Sequence, residues 1–197
     1  MTLFKNKYRV ESTRLPNHDY SQNGWYFVTI CTYERQWLFG DVVNSQVNLS
    51  EIGKIAAKFW DEIPQHSQNT YIDAYVIMPN HVHGIIVIDN PECRDVVRRD
   101  FACNVSTSGD DFDDTDVYRN LSKISPKAGS LSAVIRSYKS AVTRWCNMNG
   151  YPNFAWQQRF FDHIIRADGS LDKIREYIIS NPRKWEYDQN NSAGLWM

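Results

Sequence analysis

The chain has 197 residues, 42% hydrophobic and 14% aromatic, with a formal net charge of −1. That is enough apolar material for one well-packed domain, and it excludes a disordered chain. No apolar run approaches the roughly 18 residues of a membrane helix, and MTLFKNKYRV lacks the apolar centre of a secretory signal.

Residues 1–24 read as a polar arm in which Lys5, Lys7, Arg9 and Arg14 alternate with Phe4, Tyr8 and Tyr20. Cations among aromatics suit single-stranded nucleic acid, and a solvated terminus explains them equally well. Trp25–Tyr33 alternates aromatic and β-branched residues, which predicts the first strand. Over Asn48–Pro64, Ser50 is placed to cap and Ile52, Ile55, Ala56, Phe59 and Ile63 recur at helical spacing, so a helix should end near Pro64. Ile72–Met78 and Val82–Ile88 then flank Pro79-Asn80, the pattern of an antiparallel hairpin.

Beyond the hairpin the charge divides. Residues 89–116 hold nine acids against three arginines, a net of −6, whereas residues 117–187 hold twelve basic residues against five acids, a net of +7. Segment 90–129 is therefore expected to be a mobile acidic surface insertion. It lacks the ligand spacing of a calcium loop. The rest of the body is mildly basic, which permits a phosphate-bearing partner. Ser130–Asn149 carries a helical stripe of Leu131, Val134, Ile135, Tyr138, Val142 and Trp145, with Arg136, Lys139 and Arg144 on its flank. Phe160–Arg166 is a short strand. A last helix opens at Ser170-Leu171-Asp172 and should stop at Asn181-Pro182.

The sum is β-α-β-β-α-β-α, which suggests a ferredoxin-like α+β sandwich with a mainly antiparallel sheet. The expected organisation is an arm (1–24), one catalytic domain (25–187) and a tail (188–197). Cys31, Cys93, Cys103 and Cys146 show no Cys-x-x-Cys spacing and no disulfide density, as expected of reduced thiols in a cytoplasmic protein.

The chemistry centres on the hairpin. His81 and His83 point to one face of a strand that is otherwise apolar on both faces, so two imidazoles stand side by side on a rigid element. Such a pair suits a metal ion. Two strand-end histidines bonded to loops or water are the plain alternative, because His-x-His alone is a weak motif. On the last helix Tyr177 and Asn181 are one turn apart and share a face. Taken alone, each reads as a packed ring and a helix stop.

Together the stretches YFVTICTYERQWLFG, VIMPNHVHGIIVI, IRSYKSAVTRWCN and WQQRFFDHIIRADGSLDKIREYIISNPRKW resemble the REP-associated tyrosine transposases, single-tyrosine transposases with a His-hydrophobe-His motif. The resemblance runs from about Arg9 to Trp185, with 90–129 unmatched. It implies a metal-dependent enzyme that cuts and rejoins single-stranded DNA beside imperfect hairpins. His81, His83 and Asn181 would hold Mg²⁺ or Mn²⁺, and Tyr177 would be the nucleophile. Lys7, Arg9, Arg14, Arg136, Lys139 and Arg144 are expected to contact the DNA on grounds of charge. Relatives of this class occur as monomers and homodimers. No base for Tyr177 is evident; His163, beside Phe161 and Ile165, reads as structural.

Two other readings remain open. One is a catalytically silent hairpin-binding protein. The other is a metal hydrolase of small phosphoesters, disfavoured because no further carboxylate lies near the histidines in sequence.

Overall fold

This computed structural model describes residues 3–4, 7–8, 15, 18–91, 126–166, 169–188 and 190–191. The reading of 90–129 as a mobile insertion therefore lies almost wholly outside the described residues, as do Arg9, Arg14 and the side chain of Lys7. Two small hairpins pair β1 (Leu3–Phe4) with β2 (Lys7–Tyr8) and β4 (Gly40–Val43) with β5 (Gln46–Leu49). The main sheet comprises β3 (Gly24–Cys31), β6 (Thr70–Met78), β7 (His81–Ile88) and β8 (Phe161–Ile165). The helices are α1 (Glu51–Asp61), α2 (Ile63–His66), α3 (Leu131–Met148) and α4 (Ser170–Ser180).

The order across the main sheet is β6-β7-β3-β8, antiparallel at every step. Counting the four long strands along the chain, that is second, third, first, fourth: the ferredoxin-like α+β arrangement. Pro79-Asn80 joins β6 to β7 with Met78 opposite His81.

One face of the sheet is dry. Tyr26, Val28, Ile30, Val82 and Ile86 lie buried under α1 and α3, where Trp60 and Tyr138 meet edge to face at 5.1 Å. Each large side chain so buried contributes about 1.5–3 kcal/mol. Gly84 is required here, because a Cβ at that position would lie 2.3 Å from Cζ2 of Trp60. Both helices start on serine caps, Ser50 accepting from Gly53 N and Ser130 from Ala133 N.

The opposite face carries a smaller cluster of Phe27, Ile85, Ile165 and Ile178, covered by α4. Arg175 ties this helix to β6 by donating from Nε to Asp73 Oδ2 at 2.8 Å. At its partial exposure that pair is worth no more than about 1 kcal/mol.

Both helices end where the prolines predict, α1 at Asp61 and α4 at Ser180, but each proline then opens a further helical segment. Pro64 sits in the first turn of α2, and Pro182 in the first turn of a 3-10 segment, Asn181–Tyr187. A first-turn proline lacks an N–H that would have no helical partner anyway, so the chain can keep coiling. The second case brings Trp185 and Asp188 back onto the sheet.

Candidate active site

Strand alternation places His81 and His83 on the α4 face, where both are buried, 0% and 2% exposed. Their ring centres are 4.3 Å apart. Phe27 stacks on His83 at 5.4 Å, and Trp185 covers His81 at 5.9 Å.

Each imidazole is oriented from behind. The Asn80 amide donates through Nδ2 to the carbonyls of Asn190 (2.7 Å) and Arg35 (3.1 Å). A left-handed Arg35 (φ 53) delivers the second of these carbonyls. The amide oxygen is thereby left to accept from His81 Nδ1–H at 2.8 Å. The lone pair of His81 then resides on Nε2, a buried atom with no hydrogen-bond partner. Thr29 Oγ1 meets His83 Nδ1 at 2.8 Å, and Tyr177 Oη lies 3.3 Å from His83 Nε2. With the phenol donating to Nε2, His83 takes the same tautomer as His81. In that arrangement both histidines turn an Nε2 lone pair into one space.

Helix α4 brings Tyr177 there by burying Ile178 against the sheet. The Tyr177 ring meets Phe27 edge-on at 6.1 Å. Asn181, 2% exposed, follows at the start of the 3-10 segment; its Nδ2 donates to Asp188 Oδ2 at 3.0 Å, and its Oδ1 is buried without a partner. Asp188 is itself held by the Asn190 N–H, which donates to Oδ1 at 2.6 Å. Ligand atoms of His81, His83 and Asp188 all lie within 4.8 Å of one another.

Burial drives the electrostatics. It holds His81 well below the usual imidazole range, with His83 and then Arg35 adding to the effect, and it lowers His83 to about 4 against the pull of Asp188. Both rings are therefore neutral at pH 7, the form that binds a metal. Burial, then the Asp188 carboxylate, pushes the Tyr177 phenol up, while a hydrogen bond from Asn181 opposes the shift.

Two buried, unpartnered acceptors, His81 Nε2 and Asn181 Oδ1, fit a cation. Each would cost stability if left permanently unpaired. The nitrogen and oxygen donors, with Asp188 beside them, form a group that could hold a metal ion.

All four residues singled out from sequence, His81, His83, Tyr177 and Asn181, thus meet at one place. Three others were not anticipated. Asn80 looked like a turn residue, Thr29 a strand residue, and Asp188 lay past the expected helix stop, where no sequence signal marks it. The site consequently runs beyond residue 187. His163 sits exposed on the same face of the sheet, opposite Phe27. Arg136 and Arg144 are exposed on α3, while Lys139 donates to the carbonyls of Gln157 and Arg159.

No protein-family model matches the chain. It is 33% identical over 180 residues to an uncharacterised protein of Haemophilus influenzae, spanning 90% of this chain and 91% of that one. In structure it is similar to a REP-associated tyrosine transposase bound to a REP hairpin, with a TM-score of 0.54 and 18% identity over 89% of this chain and 76% of the other. The likeness at that identity is one of fold. Among the described residues, no helix is long and apolar enough to cross a membrane.

Proposed function

We propose that this chain, which belongs to one family with the Haemophilus influenzae protein, is a transposase of the REP-associated tyrosine kind. It acts as a metal-dependent endonuclease and strand-transferase on single-stranded DNA beside hairpins. The observation that carries this reading is the 3.3 Å approach of the Tyr177 hydroxyl to His83 Nε2, in a space also faced by two unpartnered buried acceptors.

His81, His83 and Asn181 would hold the ion, with Asp188 as a further donor. A bound Mg²⁺ or Mn²⁺ would draw charge from a non-bridging phosphate oxygen. Tyr177 Oη attacks phosphorus and the bond to the 3′ oxygen breaks, leaving a 5′-phosphotyrosine and a free 3′-hydroxyl. One phosphoester replaces another, so the strand can be rejoined without a further energy source. With the phenol donating to the His83 Nε2 lone pair, giving that lone pair to an ion would release the phenol from this bond. Asn80 keeps the His81 ring in the ligating tautomer, Thr29 orients His83, and Phe27 and Trp185 cover the ring faces.

A hairpin oligonucleotide with Mn²⁺ tests the reading. A covalent protein–DNA band should form and be absent in Tyr177→Phe; a band that persists in that variant refutes the nucleophile. Asp188 also favours a second reading, hydrolysis of small phosphoesters, since it supplies the carboxylate that the sequence did not place near the histidines. That reading requires phosphodiester turnover that survives Tyr177→Phe.

A further inference from the structure

The three basic residues on the flank of α3 do not share one environment. Arg136 and Arg144 are exposed along a groove of about 720 Å³ between α3 and the segment leading into β8. Lys139, between them, turns its ammonium onto protein. Its Nζ donates to the Gln157 carbonyl at 2.6 Å and the Arg159 carbonyl at 3.3 Å, and lies 5.8 Å from the centre of the Trp156 ring. Trp156 Nε1 donates back to the Lys139 carbonyl at 3.1 Å.

What this clamp holds is Arg159, at φ 94. A non-glycine residue rarely takes such a left-handed backbone, and keeps it only where its surroundings over-determine it. The exposed Arg159 side chain joins Arg136 and Arg144 in lining the groove, together with Ile135, Met148 and Phe160; no acidic residue lines it. Guanidinium groups beside apolar and aromatic surface suit the phosphates and base faces of a single strand.

The same segment leads into the candidate active site. Gln157 N–H donates to the Cys31 carbonyl at 2.9 Å, and Cys31 is the register partner of His81. Four residues on, Phe161 lies opposite Thr29, which lies opposite His83. Phe161, Thr29 and His83 therefore form a row on one face, about 10 Å from end to end. Phe161 is 48% exposed at the outer end of that row.

We infer that this groove carries the single-stranded DNA adjoining the cut. Arg136, Arg144 and Arg159 meet its phosphates, and Phe161 stacks on a base next to the catalytic row. Lys139 is a positioning residue that fixes Arg159 and is not itself a phosphate contact. The inference rests on the DNA-cleaving function proposed above.

Binding of the full chain carrying Tyr177→Phe to a hairpin DNA, with and without a single-stranded tail, tests it. The tail should add affinity. Arg159→Gly suits the left-handed backbone, so its melting temperature should be unchanged or higher. Its affinity for tailed DNA should nonetheless fall about tenfold, with a salt dependence shallower by about 0.7 in the log–log slope. Arg144→Gln should behave alike. Lys139→Ala should weaken tailed-DNA binding when Arg159 is present and have no further effect in Arg159→Gly, the non-additivity of a residue acting through another. Tailed DNA bound as tightly by Arg159→Gly and Arg144→Gln, while otherwise wild-type chains with these changes still form the Tyr177 adduct, overturns the groove and leaves the nuclease standing. An RNA tail preferred over DNA also overturns it, and no DNA binding at all removes both proposals.

Discussion

Against α1 and α3 the main sheet presents Tyr26, Val28, Ile30, Val82 and Ile86; against α4 it presents Phe27 and Ile85 together with Thr29, His81 and His83, all buried. The strands are the same on both sides, and the alternation of side chains separates the two sets. On the first face the packing is mostly apolar, though it too buries a polar atom without a hydrogen-bond partner, Trp60 Nε1. On the second, buried nitrogen and oxygen atoms are kept oriented and, for His81 Nε2 and Asn181 Oδ1, unpartnered. The contrast teaches that the α1/α3 face supplies the stability with which the α4 face can keep a costly, preorganised site.

The sharpest way to test that division is to damage the dry face. Trp60→Ala should cost about 3–5 kcal/mol by cavity formation, read as a lower denaturation midpoint. Its effect on Mn²⁺ affinity of the molecules that remain folded should be small. A matching loss of affinity would show that the faces are coupled.

Acidification attacks the other face. In metal-free protein His83 titrates near 4 against an ordinary value of 6.5. Between those values the unfolded chain binds the proton and the folded chain does not. Stability is therefore full above about pH 6.5 and falls as the pH drops towards 4, by about 3 kcal/mol. His81 shifts in the same direction. Denaturation midpoints at pH 7 and 4.5 should show the fall, and His83→Gln should make it shallower, leaving the share carried by His81.

Metal loading should reverse the cost of the unpartnered atoms. Mn²⁺ at a hundred times its Kd should stabilise the folded protein by about 2.7 kcal/mol. Thermal melts with and without the ion should differ accordingly in the wild type and coincide in His81→Ala.

The smallest effect comes from behind the ligands. Asn80→Ala frees the His81 ring to take the other tautomer and should weaken Mn²⁺ about 10- to 100-fold by titration. An unchanged affinity would mean that Asn80 serves only the turn.

Much of this contrast was legible in the sequence because it depends on alternation along a single strand. HVHGIIVI fixes which residues share a face, and the one-turn spacing of Tyr177 and Asn181 fixes another pair. The ferredoxin-like arrangement followed from the order of elements along the chain, and the hairpin from Pro79-Asn80. What was not legible comes from chain that returns from a distance. Asn80 acts through carbonyls of Arg35 and Asn190, 45 and 110 residues away. Asp188 arrives only because Pro182 starts a 3-10 turn, where a proline after a helix suggests a stop. Lys139 has the appearance of a phosphate contact until the carbonyls of Gln157 and Arg159 are seen around it.

The central claim is that the Tyr177 phenol beside the two imidazoles is the nucleophile. Reaction of wild-type protein with a hairpin DNA and Mn²⁺, followed by proteolysis and mass mapping, addresses it most directly. The account predicts a nucleotide attached through a 5′ phosphate to the peptide containing Tyr177 and to no other. Cleaved DNA with no nucleotide on that peptide, or one carried by a different residue, would contradict it.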